Sequence, residues 1–405
     1  MRVLLLTQWF DPEPVPKGLA FARELVRQGC DVEVVTGFPN YPGGKLYPGY
    51  RLRLIQKEEI EGVRITRIPL YPSHDSSPLR RIANYVSFSI SLFIYTLFGA
   101  RKADVVYAYH PPLTVGCAAA ALKFFRRIPV VYDIQDMWPD SLRASGMLGN
   151  EKILGIVERV CRWVYKAVDK IVVLSPGFKK LLVSRGVEER KIEVIYNWCD
   201  ESAVLDETST RGSPRKLSDG FNILFAGTMG KGQGLKAVLD AAARVQNTAP
   251  RIRFVFLGSG TECESLKERA KEQALENVLF LPRVPMAEVG PILQSADALL
   301  VHLKDDPLYR ITIPSKTQAY MVAGKPILMA VSGDASALID EAGCGLPALS
   351  EDPGSIAAAA MTLEKMSLGE LAEMGRRGKA YYWDRLSLAA GAARFKTIFS
   401  AVTTA

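Results

Sequence analysis

The octapeptide Gly227-Thr-Met-Gly-Lys-Gly-Gln-Gly234 lies between a short apolar run and a stretch of helical periodicity. Glycines at the end of a strand let backbone N–H groups close on an anion, and a helix N-terminus behind them adds partial positive charge. Gly227 and Thr228 would line such a cradle, and Lys231 would add a full charge. The run has no Gly-Lys-Ser/Thr and is not a Walker loop. Leu257-Gly-Ser-Gly260 also follows a strand-like run, with Gly258 opening the turn. Glu262-Cys263 stand where a third glycine would complete a dinucleotide fingerprint, so a tight strand-to-helix turn is the simpler reading. Farther on, Ile313-Pro-Ser-Lys316 reads as a helix start and Gly324-Lys-Pro326 as its end. Ser315 and the free amides there can hold a phosphate or a ribose hydroxyl, and Lys316 can neutralise a diphosphate. The plainer alternative makes Ser315 a helix cap and Lys316 a solvated lysine.

The first half offers a different set. Tyr109-His-Pro-Pro-Leu-Thr114 follows a strand-like run, which places His110 on the rim of a site as a candidate proton carrier. Asp133-Ile-Gln-Asp-Met-Trp-Pro-Asp140 follows the next run and holds three carboxylates. At strand ends these can orient hydroxyls or act as bases, and Asp136 is the favoured candidate. Helix N-capping by Asp136 or Asp140 is the competing explanation.

These residues need strands and helices to carry them. Val3–Thr7, Asp31–Thr36, Val63–Ile68, Val105–Tyr109, Val130–Asp133, Ile171–Leu174 and Ile192–Tyr196 read as strands, with helices between several of them. Residues 201–219 are polar and turn-rich, a linker. The alternation resumes at Phe221–Ala226 and continues through Arg253–Leu257, Val278–Leu281, Ala298–Leu303 and Pro326–Ala330. The expected fold class is α/β, with two Rossmann-like doubly wound domains, 1–200 and 220–380, facing across a cleft. With 405 residues the chain is long enough for two such cores.

Composition narrows the setting. Residues 1–200 carry 28 Lys+Arg against 20 Asp+Glu, while the remainder is balanced at 23 of each. The net charge of +8 thus belongs to the first half, which points to phosphates, nucleic acid or an anionic membrane surface. Ile82 to Ala100 has no charged residue and is flanked by Arg80-Arg81 and Arg101-Lys102. It reads as a half-buried helix or an interfacial one; a membrane span would pull apart the strands on either side of it. Lys123-Phe-Phe-Arg-Arg127 is a second basic-aromatic patch suited to a membrane surface. The six cysteines lack metal or redox spacing, the three histidines are dispersed, and the apolar run after Met1-Arg2 is too short for a signal-peptide core. A cytoplasmic setting, with no metal, fits these features.

Taken in order, several segments resemble a known family. They are Trp9-Phe-Asp-Pro-Glu13, Val34-Val-Thr-Gly-Phe-Pro-Asn-Tyr-Pro-Gly43, Tyr132-Asp-Ile-Gln-Asp-Met-Trp-Pro-Asp140, Ile195-Tyr-Asn-Trp198, Gly227-Thr-Met-Gly with Gln233-Gly-Leu235, Ala296-Asp-Ala298, and Pro314-Ser-Lys316 with Gly324-Lys-Pro326. The chain resembles retaining GT-B glycosyltransferases of family 4. Its nearest likeness is to the branch that builds O-antigens, capsules and exopolysaccharides, including N-acetyl-L-fucosamine transferases.

The resemblance implies a nucleotide-sugar donor, UDP-linked, on the C-terminal domain and a polyprenyl-diphosphate-linked glycan acceptor on the N-terminal domain. It implies a peripheral position on the inner face of the cytoplasmic membrane, no cofactor, no metal and no nucleic acid. A last helix within 381–405 would cross back to the N-terminal domain. Gly18, Gly227, Thr228, Lys231, Gly258, Arg283, Ser315 and Lys316 would serve the donor, with Arg283 bordering the base; His110 and Asp136 would stand near the reacting sugar and acceptor. Three departures stand out, the first being that the family's N-terminal glycine pair near the diphosphate is reduced to Gly18 in Pro14-Val-Pro-Lys-Gly-Leu19. The glutamate pair common in the family is replaced by Ile311 and Ala319, and its Arg and Lys after the first C-domain strand give way to Thr228-Met229 and Gln233. Rival expectations are a UDP-sugar 2-epimerase on the same fold, a non-catalytic membrane-associated scaffold and, from Gly258-Ser-Gly260 alone, a dinucleotide oxidoreductase.

Overall fold

The structure is a computed structural model that describes residues 1–73, 77–144, 150–205, 217 and 219–404. Two compact units divide the chain. Unit 1 comprises Met1–Tyr196 and the chain from Leu388 onward, and unit 2 comprises Asn197–Ser387. The division falls at residue 196 instead of 200, and the return at 388 instead of 381. Within the expected linker, Glu201–Leu205 is a helix of unit 2, while 206–216 and 218 lie outside the described residues.

Unit 1 is built on eight strands: β1 (Arg2–Leu6), β2 (Asp31–Gly37), β3 (Gln56–Ile60), β4 (Val63–Ile68), β5 (Val105–His110), β6 (Val130–Ile134), β7 (Lys170–Val173) and β8 (Ile192–Val194). Their order is β3-β4-β2-β1-β5-β6-β7-β8, and only β3 runs antiparallel to its neighbour. Every residue of β5 and β6 is buried, as parallel strands covered on both faces require. β3 alternates between half-buried and exposed residues because it is an edge strand. Its sequence, Gln-Lys-Glu-Glu-Ile, has no apolar run, which is why sequence alone does not show it. The helices are α1 (Leu19–Arg27), α2 (Pro78–Phe98), α3 (Leu113–Arg126), α4 (Asp140–Ala144), α5 (Glu151–Ala167) and α6 (Pro176–Ser184).

Unit 2 has six parallel strands: β9 (Phe221–Ala226), β10 (Ile252–Leu257), β11 (Val278–Leu281), β12 (Ala298–His302), β13 (Ile327–Ala330) and β14 (Gly345–Pro347), in the order β11-β10-β9-β12-β13-β14. Its helices are α7 (Glu201–Leu205), α8 (Lys236–Val245), α9 (Cys263–Glu272), α10 (Met286–Ser295), α11 (Pro307–Arg310), α12 (Lys316–Ala323), α13 (Asp334–Ala342), α14 (Pro353–Lys365) and α15 (Leu368–Tyr381). The strand order reverses between β9 and β12, and in unit 1 between β1 and β5. Ligands of doubly wound sheets bind outside the strand carboxyl ends at such points.

A π-helical turn, Tyr382–Leu386, leads to α16 (Leu388–Thr404), which belongs to unit 1. There Phe395 packs on Phe21 of α1 and Tyr107 of β5, with ring centroids 5.2 and 5.4 Å away. Lys396 Nζ also donates to the Gln28 carbonyl at the end of α1, at 2.6 Å. The C-terminal helix thus completes the core of the N-terminal sheet.

Candidate active site

The strongest convergence lies at the switch point of unit 2. β9 ends at Ala226, and helix α12 docks on that end through Tyr320. The Tyr320 hydroxyl accepts from the Ala226 N–H at 2.8 Å and lies 3.3 Å from the Ala226 carbonyl. Four residues apart, Lys316 and Tyr320 share one helix face. Docking Tyr320 on Ala226 therefore brings Lys316 over Phe225, where its Nζ lies 3.6 Å from the ring centroid. A Cβ placed on Gly227 would come within 3.4 Å of the same Nζ.

Lys316 Nζ donates to the Gln233 side-chain oxygen at 3.1 Å. Among the described residues no carboxylate lies within ion-pair distance of it. Burial pushes its ammonium down to about 7. A desolvated cation held by a neutral amide and an aromatic face, at a switch point, is organised for an anion from solution.

Two further contacts fix the loop that carries Gln233. Its backbone carbonyl lies 2.5 Å from His302 Nδ1, and the Glu351 N–H donates to His302 Nε2 at 3.3 Å. Nε2 is thus the acceptor, so Nδ1 carries the proton. His302 is fully buried at the end of β12, and burial lowers its pKa. It is a neutral strut across the switch point. The Lys304 N–H adds a bond to the Gly232 carbonyl at 3.0 Å.

The remaining donor candidates fall into two groups. Gly227 and Thr228 are exposed on the loop after β9, as is Lys231 in the short turn Lys231–Gln233. Gly258 has another task. Its Cβ would stand 2.1 Å from the Gly227 carbonyl oxygen, at a φ of +139°. The Gly227 and Met229 N–H groups bond to the Leu257 and Ser259 carbonyls, so the turns after β9 and β10 lie backbone on backbone. Gly258 serves the site by letting them meet. Ser315 is exposed, has helical φ and ψ, and makes no capping bond, so the cap alternative fails. Arg283 is exposed after the edge strand β11, two strands and about 10 Å across the sheet from β9.

Unit 1 requires corrections. His110 does not sit on a rim: it is 2% exposed, edge-on to Tyr132 and Trp138, and its Nδ1 has no hydrogen-bond partner among the described residues. Burial lowers its pKa to about 3, so the ring is neutral. Asp136 is exposed and caps no helix; α4 starts at Asp140, whose carboxylate pairs with Arg185 at 2.6 Å. Surrounding protein raises the Asp136 pKa. Asp133 is fully buried and accepts from Lys17 Nζ at 2.5 Å, the Tyr107 hydroxyl at 2.6 Å and Gln135 Nε2 at 2.6 Å. It anchors the loop after β1. Gly18 opens α1, but Asp11 Oδ2 already accepts from the Leu19 N–H at 2.5 Å and occupies the space a Gly18 Cβ would fill. That helix end is capped from within.

Sequence reasoning passed over Gln233 as a ligand to Lys316, His302 as the strut, and Glu13. Glu13 accepts from the Phe10, Asn40 and Tyr41 N–H groups at 3.0, 2.8 and 2.7 Å, tying the loop after β1 to the loop after β2. Desolvation raises its pKa to about 7. Among the described residues no three His, Cys, Asp or Glu side chains converge as a metal-ligand set.

The sequence comparisons divide at nearly the same places as the fold. Residues 19–198 match the glycosyl transferase 4-like domain, and residues 220–365 match glycosyl transferases group 1. The chain belongs to the group 1 glycosyltransferases. Over 270 residues this glycosyltransferase is 28% identical to WbjE of Pseudomonas aeruginosa, named as a glycosyltransferase; the match covers 64% of this chain and 65% of WbjE. Over 344 residues it is 26% identical to WcaI of Escherichia coli, named as a colanic acid biosynthesis glycosyl transferase, covering 82% of this chain and 83% of WcaI. Its fold is GT-B. The structure of HepE from Anabaena in complex with UDP superposes with a TM-score of 0.72 at 16% identity, over 99% of this chain and all of HepE. Sucrose-phosphate synthase from Thermosynechococcus elongatus gives 0.73 at 14% identity, over 100% and 99%.

Proposed function

We propose that the protein transfers a sugar from a UDP-linked donor, N-acetylated or deoxy, to a polyprenyl-diphosphate-linked glycan in bacterial surface polysaccharide assembly, with retention of configuration. The observation that carries this reading is Lys316, half-buried against Phe225 and Gln233 with no carboxylate partner among the described residues. Departure of UDP develops negative charge on the β-phosphate. Lys316, the Ser315 hydroxyl and the N–H groups at the start of α12 offer positive charge and donors to it, with Thr228 and Lys231 on the facing loop. In a site closed to water, one such group is worth on the order of 100-fold in kcat. HepE, which shares the fold, is seen with UDP and with UDP-glucose, and WcaI is named for polysaccharide biosynthesis; both support this reading.

In unit 1, His110 and Asp136 are the groups proposed for the reacting centre. With a pKa near 3, His110 acts as a neutral hydrogen-bonding ring, not as a cation. The ribose contact that a glutamate makes elsewhere in the family has no carboxylate at Ile311 or Ala319 here. A mass-spectrometric screen of UDP-, GDP- and dTDP-sugars with a polyprenyl-diphosphate-linked acceptor tests the proposal. One UDP-sugar should add its glycosyl mass to the acceptor and release UDP. An epimerised UDP-sugar formed without acceptor, or no turnover of any donor, would overturn it.

A further inference from the structure

Three dipeptides of unit 1 pair an amide with an aromatic residue: Gln8-Trp9, Asn40-Tyr41 and Asn84-Tyr85. They come from the loop after β1, the loop after β2 and the first half of α2. The amides meet inside the unit. Gln8, Asn40 and Asn84 are each at most 1% exposed. Gln8 Nε2 donates to Asn84 Oδ1 at 2.5 Å, and Asn84 Nδ2 donates to the Tyr71 carbonyl at 2.7 Å and to Asn40 Oδ1 at 3.3 Å. Asn40 Nδ2 donates in turn to the Phe38 carbonyl at 2.9 Å.

The aromatic residues meet as well, and all three are half-buried. The Trp9 and Tyr41 ring centroids are 4.7 Å apart at an interplanar angle of 32°. Tyr85 lies 6.3 Å from Trp9 at 72°. Two nearly parallel rings with a third edge-on to them make a corner. It stands past the carboxyl ends of β1 and β2, and β1 borders the switch point of unit 1. Ligands of doubly wound sheets bind at such ends.

The corner is held more firmly than ring packing requires. The amide chain joins α2 to both loops. Glu13 binds the N–H groups of Phe10, Asn40 and Tyr41. Thr7 Oγ1 donates to the Trp9 carbonyl and the Tyr47 hydroxyl to the Tyr41 carbonyl, each at 2.8 Å. An apolar core could pack three rings without burying amides, whose desolvation must be offset by bonds between them. What such a network adds is one fixed arrangement. Rings fixed before binding spare a ligand the cost of ordering them. One acceptor, Gln8 Oε1, has no hydrogen-bond partner among the described residues, and a donor that reached it would relieve that cost.

The chemistry of the corner selects its ligand. It offers ring faces and phenol hydroxyls. Burial raises the Tyr85 pKa, so its hydroxyl stays protonated and can both donate and accept. A pyranose matches this, with hydroxyls around its edge and a face of C–H bonds that suits the negative face of an aromatic ring. We propose that Trp9, Tyr41 and Tyr85 form a subsite that seats a neutral pyranose ring of the acceptor glycan. That this sugar belongs to the acceptor rests on the transfer reading; the sugar contact does not.

Saturation-transfer difference NMR of the full chain, saturated with UDP, tests the proposal against methyl pyranosides of gluco, galacto, N-acetylgluco and fuco configuration. At least one should receive saturation, most strongly at its ring C–H protons. Trp9→Leu and Tyr41→Leu should each weaken that binding about threefold to tenfold, while Trp9→Phe, which keeps a ring face, should retain most of it. Circular dichroism and UDP affinity should stay at wild-type values in all three. No binding of any methyl pyranoside to the wild-type protein, equal binding by the leucine variants, or displacement of the sugar by uridine would overturn it. UDP calorimetry on the same samples reports separately on the donor site.

Discussion

Lys316 donates its Nζ to the side-chain oxygen of Gln233 at 3.1 Å, a neutral partner for a half-buried cation. The pairing has a pH signature. In the free protein the ammonium loses its proton through about pH 7. A bound diphosphate stabilises the charged form and raises that value. Binding above pH 7 must then take up a proton, so UDP affinity falls toward tenfold per pH unit from pH 7 upward until the bound-state value is reached. Calorimetry in buffers of different ionisation enthalpy should register the uptake at pH 8. Lys316→Arg, charged throughout, should flatten the profile between pH 7 and 9.

Gly227 and Gly258 share an unusual φ of +139° but stand in different surroundings. Gly258→Ala forces a methyl onto the Gly227 carbonyl and should separate the two turns, lowering UDP affinity at least about tenfold and the thermal midpoint by several degrees. Gly227→Ala meets only the flexible end of Lys316, and its stability loss should be the smaller of the two. Equal midpoints for the two variants would contradict the backbone-on-backbone arrangement.

His302→Phe keeps the ring volume but removes the bonds to the Gln233 carbonyl and the Glu351 N–H. The part-buried Gln233 carbonyl and Glu351 N–H both lose their partner, at about 0.5–1.5 kcal/mol each in urea denaturation. UDP binding should weaken too, since Gln233 and its bond to Lys316 depend on that strut. A variant with wild-type stability and affinity would show that the strut is dispensable.

The parallel strands were legible because burial on both faces leaves continuous apolar runs such as Val105-Val-Tyr-Ala-Tyr109. β3, written Gln-Lys-Glu-Glu-Ile, was not, since an edge strand with a solvated face keeps its charges. Lys316 was legible from its place at a helix start after Pro314. Its partner was not, because Gln233 reaches it only when Tyr320 seats α12 on β9. His110 read as a rim residue from its position after a strand, yet packing against Tyr132 and Trp138 buries it, and only the tertiary structure carries that information. Gly18 and Gly258 were read as ligand glycines, whereas close approach by Asp11 and by the Gly227 backbone explains them both.

Glu13 gives a test in unit 1. Its two oxygens accept three backbone N–H groups. Glu13→Gln turns one acceptor into a donor facing another N–H, and should cost about 1–3 kcal/mol. The carboxyl, raised to about 7 from an ordinary 4.5, makes wild-type stability decline as pH rises from 4.5 through 7, because the folded state holds the proton more tightly. That component of the pH dependence should vanish in the variant, as urea midpoints at pH 5 and pH 8 would reveal.

The central claim is that unit 2 holds the donor diphosphate through Lys316. Isothermal titration calorimetry of UDP against the wild-type protein and Lys316→Ala, at pH 7 with circular dichroism as the fold control, addresses it most directly. Saturable one-to-one binding that weakens at least about tenfold in the folded variant, or about 1.4 kcal/mol, is the predicted result. Equal affinity in the two proteins, or no UDP binding to either, would contradict it.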